Sequence, residues 1–200
     1  MRSLVESGLL DITTGVEVGK MAYGMGRVPF IRTSDLIAWE VNRVTKQGIS
    51  DAVYEAYPEA ALRPYDILLV RDGTYLVGSS AMVMPDDLPA LCSGGLYRLR
   101  SRDTERLDPH VLLAALNEPL ARRQMRAKQF TRDVIDTLGT RILEVRIPPV
   151  CDGNGQPVGA KVRRIMGQKA AIKREITAII DALEPPSPPF AVGRPGWSMR

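Results

Sequence analysis

The chain has 200 residues, 44% of them hydrophobic, enough to bury one sizeable core with an appendage. Its 27 lysines and arginines against 23 aspartates and glutamates leave a net charge of +4, a mild excess that suits an anionic partner without demanding one. No run of about eighteen apolar residues occurs, and Met1 is not followed by a charged segment and an apolar stretch, so a membrane span and a signal peptide are not expected. The expectation is a cytoplasmic protein with no membrane partner. Cys92 and Cys151 are far apart with no CxxC spacing, and His110 is the single histidine, which predicts two free thiols and no zinc site.

From Leu9 to about Arg102 the chain reads as short strands separated by glycine, proline and acidic turns, with β-branched and aromatic residues in the runs. Strands are expected over Leu10 to Thr13, Phe30 to Arg32, Ile67 to Arg71, Val77 to Val83 and Leu96 to Arg100, forming a curved, mostly antiparallel sheet. The segment from Lys20 to Val28, with Tyr23, Gly24, Gly26 and Arg27, reads as a mobile surface loop. Donor-rich turns follow two of the strands and display Arg32, Thr33 and Ser34 in one case and Arg71 and Thr74 in the other. Arginine grips guanine or phosphate bidentately, and hydroxyls bind backbone oxygens. Asp35 and Asp72 are expected to form those turns, and Gly73 supplies the freedom a tight turn needs. Two roles stay open for Arg32 and Arg71: an outward contact, or an internal pair with the adjacent aspartate. Trp39 and Tyr54 are expected in core or loop packing.

Near Asp108 the period lengthens from two toward 3.6. Asp108 reads as a helix cap, Pro109 as a first-turn residue, and Val111, Leu112, Ala115, Leu116 and Leu120 as an apolar face. Glu118-Pro119 should break this helix and begin another, because proline lacks an amide donor and disfavours helical geometry just before it. The second helix carries Arg122, Arg123, Arg126, Lys128 and, beyond it, Arg132, with no acid from Ala121 to Arg132. Arg122 and Arg126 are one turn apart, with Lys128 and Gln129 close behind, so one flank is suited to a phosphate backbone. Arg141, at the turn after Gly139, extends it. A further strand is expected over Ile142 to Ile147, ending at Pro148-Pro149.

After a glycine-rich loop, Asp152 to Gly159, the residues Val158, Val162, Ile165, Lys169, Ile172, Ile176, Ile179 and Leu183 recur at spacings of four and three. That is a coiled-coil seam on a helix roughly 39 Å long, with Lys169 interrupting the stripe; the competing arrangement is a helix packed on its own sheet. The tail from Glu184 is proline-rich and has no apparent core. The expected division is residues 1–150 as a recognition domain, 158–184 as a long helix for dimerisation or docking, and 185–200 as a flexible tail. The fold class is α+β, a curved, mostly antiparallel sheet with packed helices followed by a long coiled-coil-type helix.

Catalytic signatures are missing. There is no GxxxxGK[ST] loop, no glycine-rich turn in a βαβ unit and no asparagine-proline-proline-aromatic motif. His110 lacks a neighbouring nucleophile and reads as a solvated helix-start residue. Asp66 and Asp72 lack the third acid or lysine that a metal nuclease needs. No catalytic residue, metal or resident cofactor is expected.

Two stretches, PFIRTSDL from Pro29 and DILLVRDGTYLVG from Asp66, stand with LYRLRS from Leu96, LDPHVLLAALN from Leu107, GTR from Gly139 and IPP from Ile147 before the final helix. As a series, covering roughly Leu9 to Leu183, they resemble the target recognition domain of type I restriction-modification specificity subunits and of related N6-adenine DNA methylases. The resemblance implies a non-catalytic module that reads double-stranded DNA. It also implies a partner N6-adenine methyltransferase carrying S-adenosylmethionine, with the restriction subunit as a further partner. Specificity subunits of this kind commonly hold two recognition domains joined by two long helices, whereas this sequence has one of each. It looks like half a subunit, and a homodimer through the final helix would restore two domains and a palindromic, bipartite site. Docking of that helix on a methyltransferase, a severed C-terminal region of a larger methylase, and a protein-interaction or inhibitory factor with this fold are the alternatives.

Overall fold

The computed structural model describes residues 1–42, 48–73, 75–132, 135–151, 154 and 158–183. Its strands are β1 (Leu10–Thr14), β2 (Val28–Ile31), β3 (Leu36–Ile37), β4 (Trp39–Val41), β5 (Gly48–Ile49), β6 (Ile67–Val70), β7 (Asp72–Gly73), β8 (Ser80–Met82), β9 (Leu91–Cys92), β10 (Leu96–Ser101), β11 (Phe130–Arg132) and β12 (Ile135–Thr137). The helices are α1 (Arg2–Glu6), α2 (Asp51–Glu55), α3 (Pro109–Asn117), α4 (Pro119–Lys128) and α5 (Gly159–Leu183).

The run Ile67-Leu68-Leu69-Val70 is apolar without alternation, and all four side chains are buried, so β6 is covered on both faces. It lies inside a six-stranded sheet of order β1-β10-β6-β8-β4-β3, antiparallel except where β4 meets β8. A second sheet, β5-β2-β9, encloses a smaller core of Val18, Val28, Phe30, Ile49 and Leu91. A third, β11-β12-β7, hangs a hairpin on the turn that follows β6. The architecture is mixed α and β with open, mostly antiparallel sheets.

Several expected elements differ in extent. The Val77 to Val83 run is strand only over β8, because Gly78 takes a positive φ of 81° and the Ser79 amide turns back onto the Leu76 carbonyl at 2.8 Å. The segment from Lys20 to Val28 is anchored to the second core: Tyr23 packs on Phe30 with centroids 5.5 Å apart, and the Gly24 amide donates to the Gly48 carbonyl. The Ile142 to Ile147 strand is absent. Its first half lies in a 3-10 turn over Gly139–Glu144, which puts Ile142 and Val145, three residues apart, into the core. Trp39 enters β4 and packs against the main core, and Tyr54 packs against the smaller one.

The Asp108 cap accepts the His110 amide at 2.8 Å. Glu118 closes α3 and caps α4, accepting from the amides of Leu120 and Ala121, so the break falls where the proline requires it. Leu120 leaves the expected apolar face and is exposed. His110 is buried rather than solvated: its Nδ1 lies 2.9 Å from Asp108 Oδ1 and its ring packs on Tyr65.

The final helix divides the expected seam. Val162, Met166 and Ala170 are buried and Val158 packs beside them, while Ile165 and Lys169 are half-buried. Lys169 pairs with Glu40 at 3.2 Å, Lys173 with Asp87 at 2.6 Å and Arg174 with Asp86 at 2.5 Å, which fastens the helix to the domain. Ile172, Ile176, Ile179 and Leu183 are exposed, as is Ile180. The first half of α5 is thus a domain helix, with Met166 and Ala170 in the stripe where the heptad reading placed Ile165 and Lys169. The tail from Glu184 lies outside the described residues.

Candidate nucleic-acid interface

The first donor-rich turn is built by Asp35. Its buried carboxylate accepts the Arg32 amide at 2.8 Å, and its own amide returns to the Arg32 carbonyl at 2.9 Å, so a local loop closes without outside help. Arg32 and Thr33 are half-buried and Ser34 is exposed. The Arg32 side chain makes no ion pair with Asp35, and its Nε is buried without a partner among the described residues.

The second turn is different. Arg71 Nε and Nη2 both donate to Asp72 Oδ2, at 2.8 and 2.6 Å, and the other Asp72 oxygen accepts from the Thr137 hydroxyl. Asp72 is therefore a strand residue that ties the hairpin to this turn, not the turn former the sequence suggested. The Asp72 carboxylate, bonding Arg71 directly, raises the arginine pKa, against the opposing effect of burial.

These two turns, far apart in sequence, meet at one place. The Ser93 amide donates to the Ile31 carbonyl at 2.8 Å, and the Gly95 carbonyl accepts from the Arg71 amide at 2.9 Å. A Cβ on Gly95 would stand 3.2 Å from the Thr33 methyl, so the Gly94-Gly95 turn fits because it lacks one. Thr74 lies outside the described residues.

The basic helix approaches from the other side. Ala121 and Met125 are buried, and Met125 presses on Gly78. Arg122 donates to the Gly78 carbonyl and is half-buried, so burial and then the charge of Arg126 pull its pKa down. Arg123 and Arg126 are exposed, and among the described residues no carboxylate pairs with either. Lys128 pairs with Glu144 at 2.7 Å, and this hydrogen bond holds the Glu144 carboxyl below its usual range. The Gln129 amide closes the helix on the Arg126 carbonyl at 3.4 Å. Arg141 is exposed and lies over the Phe130 ring at 4.6 Å, a stacking that holds the guanidinium flat, and one of its Nη donors reaches the Lys128 carbonyl at 3.5 Å.

The structure thus groups Arg122, Arg126, Lys128, Gln129 and Arg141 on α4 and its flanking turn, with the hairpin linking that flank to Arg71. Arg32, Thr33 and Ser34 lie in the turn that meets Arg71 through Ser93 and Gly95. Arg123, which the sequence offered only as one member of an acid-free block, is as exposed as Arg126; that block was the available signal. Asp66 is committed elsewhere, gripped by Arg100 at 2.7 Å through both oxygens. Among the described residues no cluster of metal-ligating side chains occurs, and no helix is long and apolar enough to cross a membrane. Cys92 is buried, which pushes its thiol pKa up to about 12, and Cys151 is exposed; both are free.

A scan against protein-family models and a search of curated proteins give no match of significance. Solved structures do. The type I restriction-modification specificity subunit from M. genitalium superposes with a TM-score of 0.54 over 87% of this chain and 39% of that one, at 15% identity. A chain from a structure on assembly and conformational transition of the type I restriction-modification system gives 0.53 over 88% and 42%, at 23% identity. The chain shares its fold with part of these type I restriction-modification chains. It spans about two fifths of the length of the chains it matches.

Proposed function

We propose that this chain is a non-catalytic, sequence-specific DNA recognition module, equivalent to half a specificity subunit, within a cytoplasmic restriction-modification methyltransferase complex. The observation that carries this is the flank of α4, where Arg123 and Arg126 stand exposed with no carboxylate partner among the described residues, beside the stacked Arg141. Protein surfaces usually mix signs, and guanidiniums left unpaired on one face are donors for phosphate oxygens. Arg126 and Arg141, with Gln129, hold the backbone and set register, and Lys128 reaches a phosphate only by giving up its pair with Glu144. Arg122 fixes Gly78 and so shapes the turn that faces the duplex. Arg32, Thr33, Ser34 and Arg71 lie on or beside the strand-end turns from which base edges are read, and Thr74, next in sequence after Gly73, is assigned with them. Methyl transfer and S-adenosylmethionine belong to a partner N6-adenine methyltransferase subunit, and cleavage to a restriction subunit. The exposed half of α5 supplies the contact with that partner or with a second copy of the chain.

Duplex binding measured across a salt series tests the reading. Salt-sensitive binding is expected, with a shallower log-log slope when Arg123 and Arg126 are changed to alanine. Salt-independent binding or none would overturn it. A second reading, a protein-interaction or inhibitory factor, is favoured by the exposed Ile172, Ile176, Ile179 and Leu183 alone. A severed region of a larger methylase would differ in binding S-adenosylmethionine, which the isolated chain is expected not to do.

A further inference from the structure

The turn between β7 and β8 carries two apolar side chains that the fold does not use. Tyr75 is 92% exposed and Leu76 is 41% exposed, and no ring contact or hydrogen bond within the described residues engages the phenol. Described residues on both sides of the tip are held by the fold. Gly73 pairs with Asp136 of β12, Val77 is buried, the Gly78 amide donates to the Val70 carbonyl at 2.9 Å, and the Ser79 amide donates to the Leu76 carbonyl at 2.8 Å. Gly78 has φ +81°, and a Cβ there would stand 3.2 Å from Met125, so glycine lets the turn press against the basic helix. Arg122 locks that contact through the Gly78 carbonyl. An aromatic ring at the tip of a loop fixed at both ends loses little conformational freedom when it is buried by a partner.

We infer that Tyr75 and Leu76 form a wedge that enters a base step of duplex DNA; the inference rests on the recognition function proposed above. Apolar side chains that intercalate from a loop need cations close by to hold the phosphates of the step they open. Here Arg122 stands at the end of the turn, bonded to the Gly78 carbonyl, with Arg126 one helical turn further along α4, while Arg71 before the turn is paired with Asp72. The duplex is the occupant because Arg122 and Arg126 beside this turn have no carboxylate partner among the described residues, whereas charged residues are depleted around the core of a protein-protein contact. Opening a step costs least at flexible pyrimidine-purine steps, so the wedge adds selectivity at a position that no hydrogen-bonding side chain reads.

The test uses the full chain and a duplex enriched by it from a random-sequence pool. 2-Aminopurine is then placed at each position of that duplex, since its fluorescence rises on unstacking. Wild type is expected to raise the signal at one step. Tyr75→Ala abolishes the rise and weakens binding about tenfold, Tyr75→Phe preserves both, and Leu76→Ala has a smaller effect in the same direction. Arg123→Ala with Arg126→Ala weakens binding but keeps the rise at saturating protein. If wild type binds and no step unstacks, or if Tyr75→Ala binds and unstacks as wild type does, the wedge is overturned and DNA recognition stands; the tip then serves a protein partner. If wild type enriches no duplex at low salt, the recognition reading fails and the wedge with it.

Discussion

Arginines on β10 and arginines on α4 share one chemistry and serve opposite ends. Arg98 and Arg100, two residues apart on one face of the strand, point into the body of the domain. Arg98 is buried and donates to the Glu59 carbonyl at 2.8 Å, and burial pulls its pKa down. Arg100 grips Asp66, whose side chain is 1% exposed, and reaches the Ala61 carbonyl at 3.1 Å. These two side chains pin the segment around Pro58–Ala60 to the sheet. On α4, by contrast, Arg123 and Arg126 have no such obligations. The difference teaches that cationic residues in this chain become interface candidates through the absence of a nearby carboxylate or carbonyl, not through their number. The same contrast divides α5, where Lys169, Lys173 and Arg174 are committed to Glu40, Asp87 and Asp86 while Ile176, Ile179 and Leu183 beyond them stand exposed.

Breaking the inward set has the largest expected effect. Asp66→Ala leaves the Arg100 guanidinium with little exposure and without its hydrogen-bonded counter-charge, Asp11 across the strand acting only at longer range, and should cost about 3 kcal/mol of stability in denaturant unfolding. A near-neutral result would show that β10 does not depend on the pair. Breaking the outward set should leave stability within ~0.5 kcal/mol. Arg123→Ala with Arg126→Ala should instead lower the slope of log Kd against log salt by about two, one for each phosphate no longer neutralised. A destabilised double variant would mean these arginines are structural after all.

Asp108 sharpens the comparison from the acidic side. Burial pushes its pKa up, but the bonds from the His110 amide and ring and the charges of His110 and Arg163 outweigh it, and the net direction is down. A carboxylate depressed in the folded state stabilises above its unfolded range, near about 3.9, and loses that contribution as pH falls through the folded value. Asp108→Asn keeps the cap acceptor and should cost under about 1 kcal/mol at neutral pH while flattening the acid limb of a stability-pH curve. An unchanged acid limb would remove Asp108 from that account. The smallest effect on the fold is expected from Ile176→Asp, within ~0.5 kcal/mol, because the side chain is 52% exposed. Sedimentation velocity should show wild type self-associating and the variant monomeric if a second copy covers α5; identical profiles would assign the stripe to a different partner.

Elements set by local chemistry were legible in the sequence. The Asp108-Pro109 helix start and the Glu118-Pro119 break depend on a cap oxygen and a missing amide, and both stand where the residues put them. So do the cores of β1, β6 and β10: β6 is an unbroken apolar run, and β1 and β10 are the longest of the described strands, with β-branched residues in β1 and an aromatic one in β10. Strands of two or three residues, such as β3, β5, β7 and β9, carry no period and were invisible. Ile142 to Ile147 was misread because an apolar residue at every third position and at every second position agree over so short a span. His110 was misplaced because Tyr65, which helps cover it, comes from another part of the chain.

By itself the sequence determined the mixed α and β class with open, mostly antiparallel sheets, the order of the main strands and helices, the acid-free basic helix and the presence of the last helix, but not the coiled-coil seam. Each follows from propensity, capping or spacing within a few residues. Only the tertiary structure decided which charges were left over, since Lys128 meets Glu144, Arg71 meets Asp72 and Arg122 meets Gly78, while Arg123, Arg126 and the Tyr75 tip stay exposed. Pairing is a property of distance in space, and folding brings together residues that no local pattern relates.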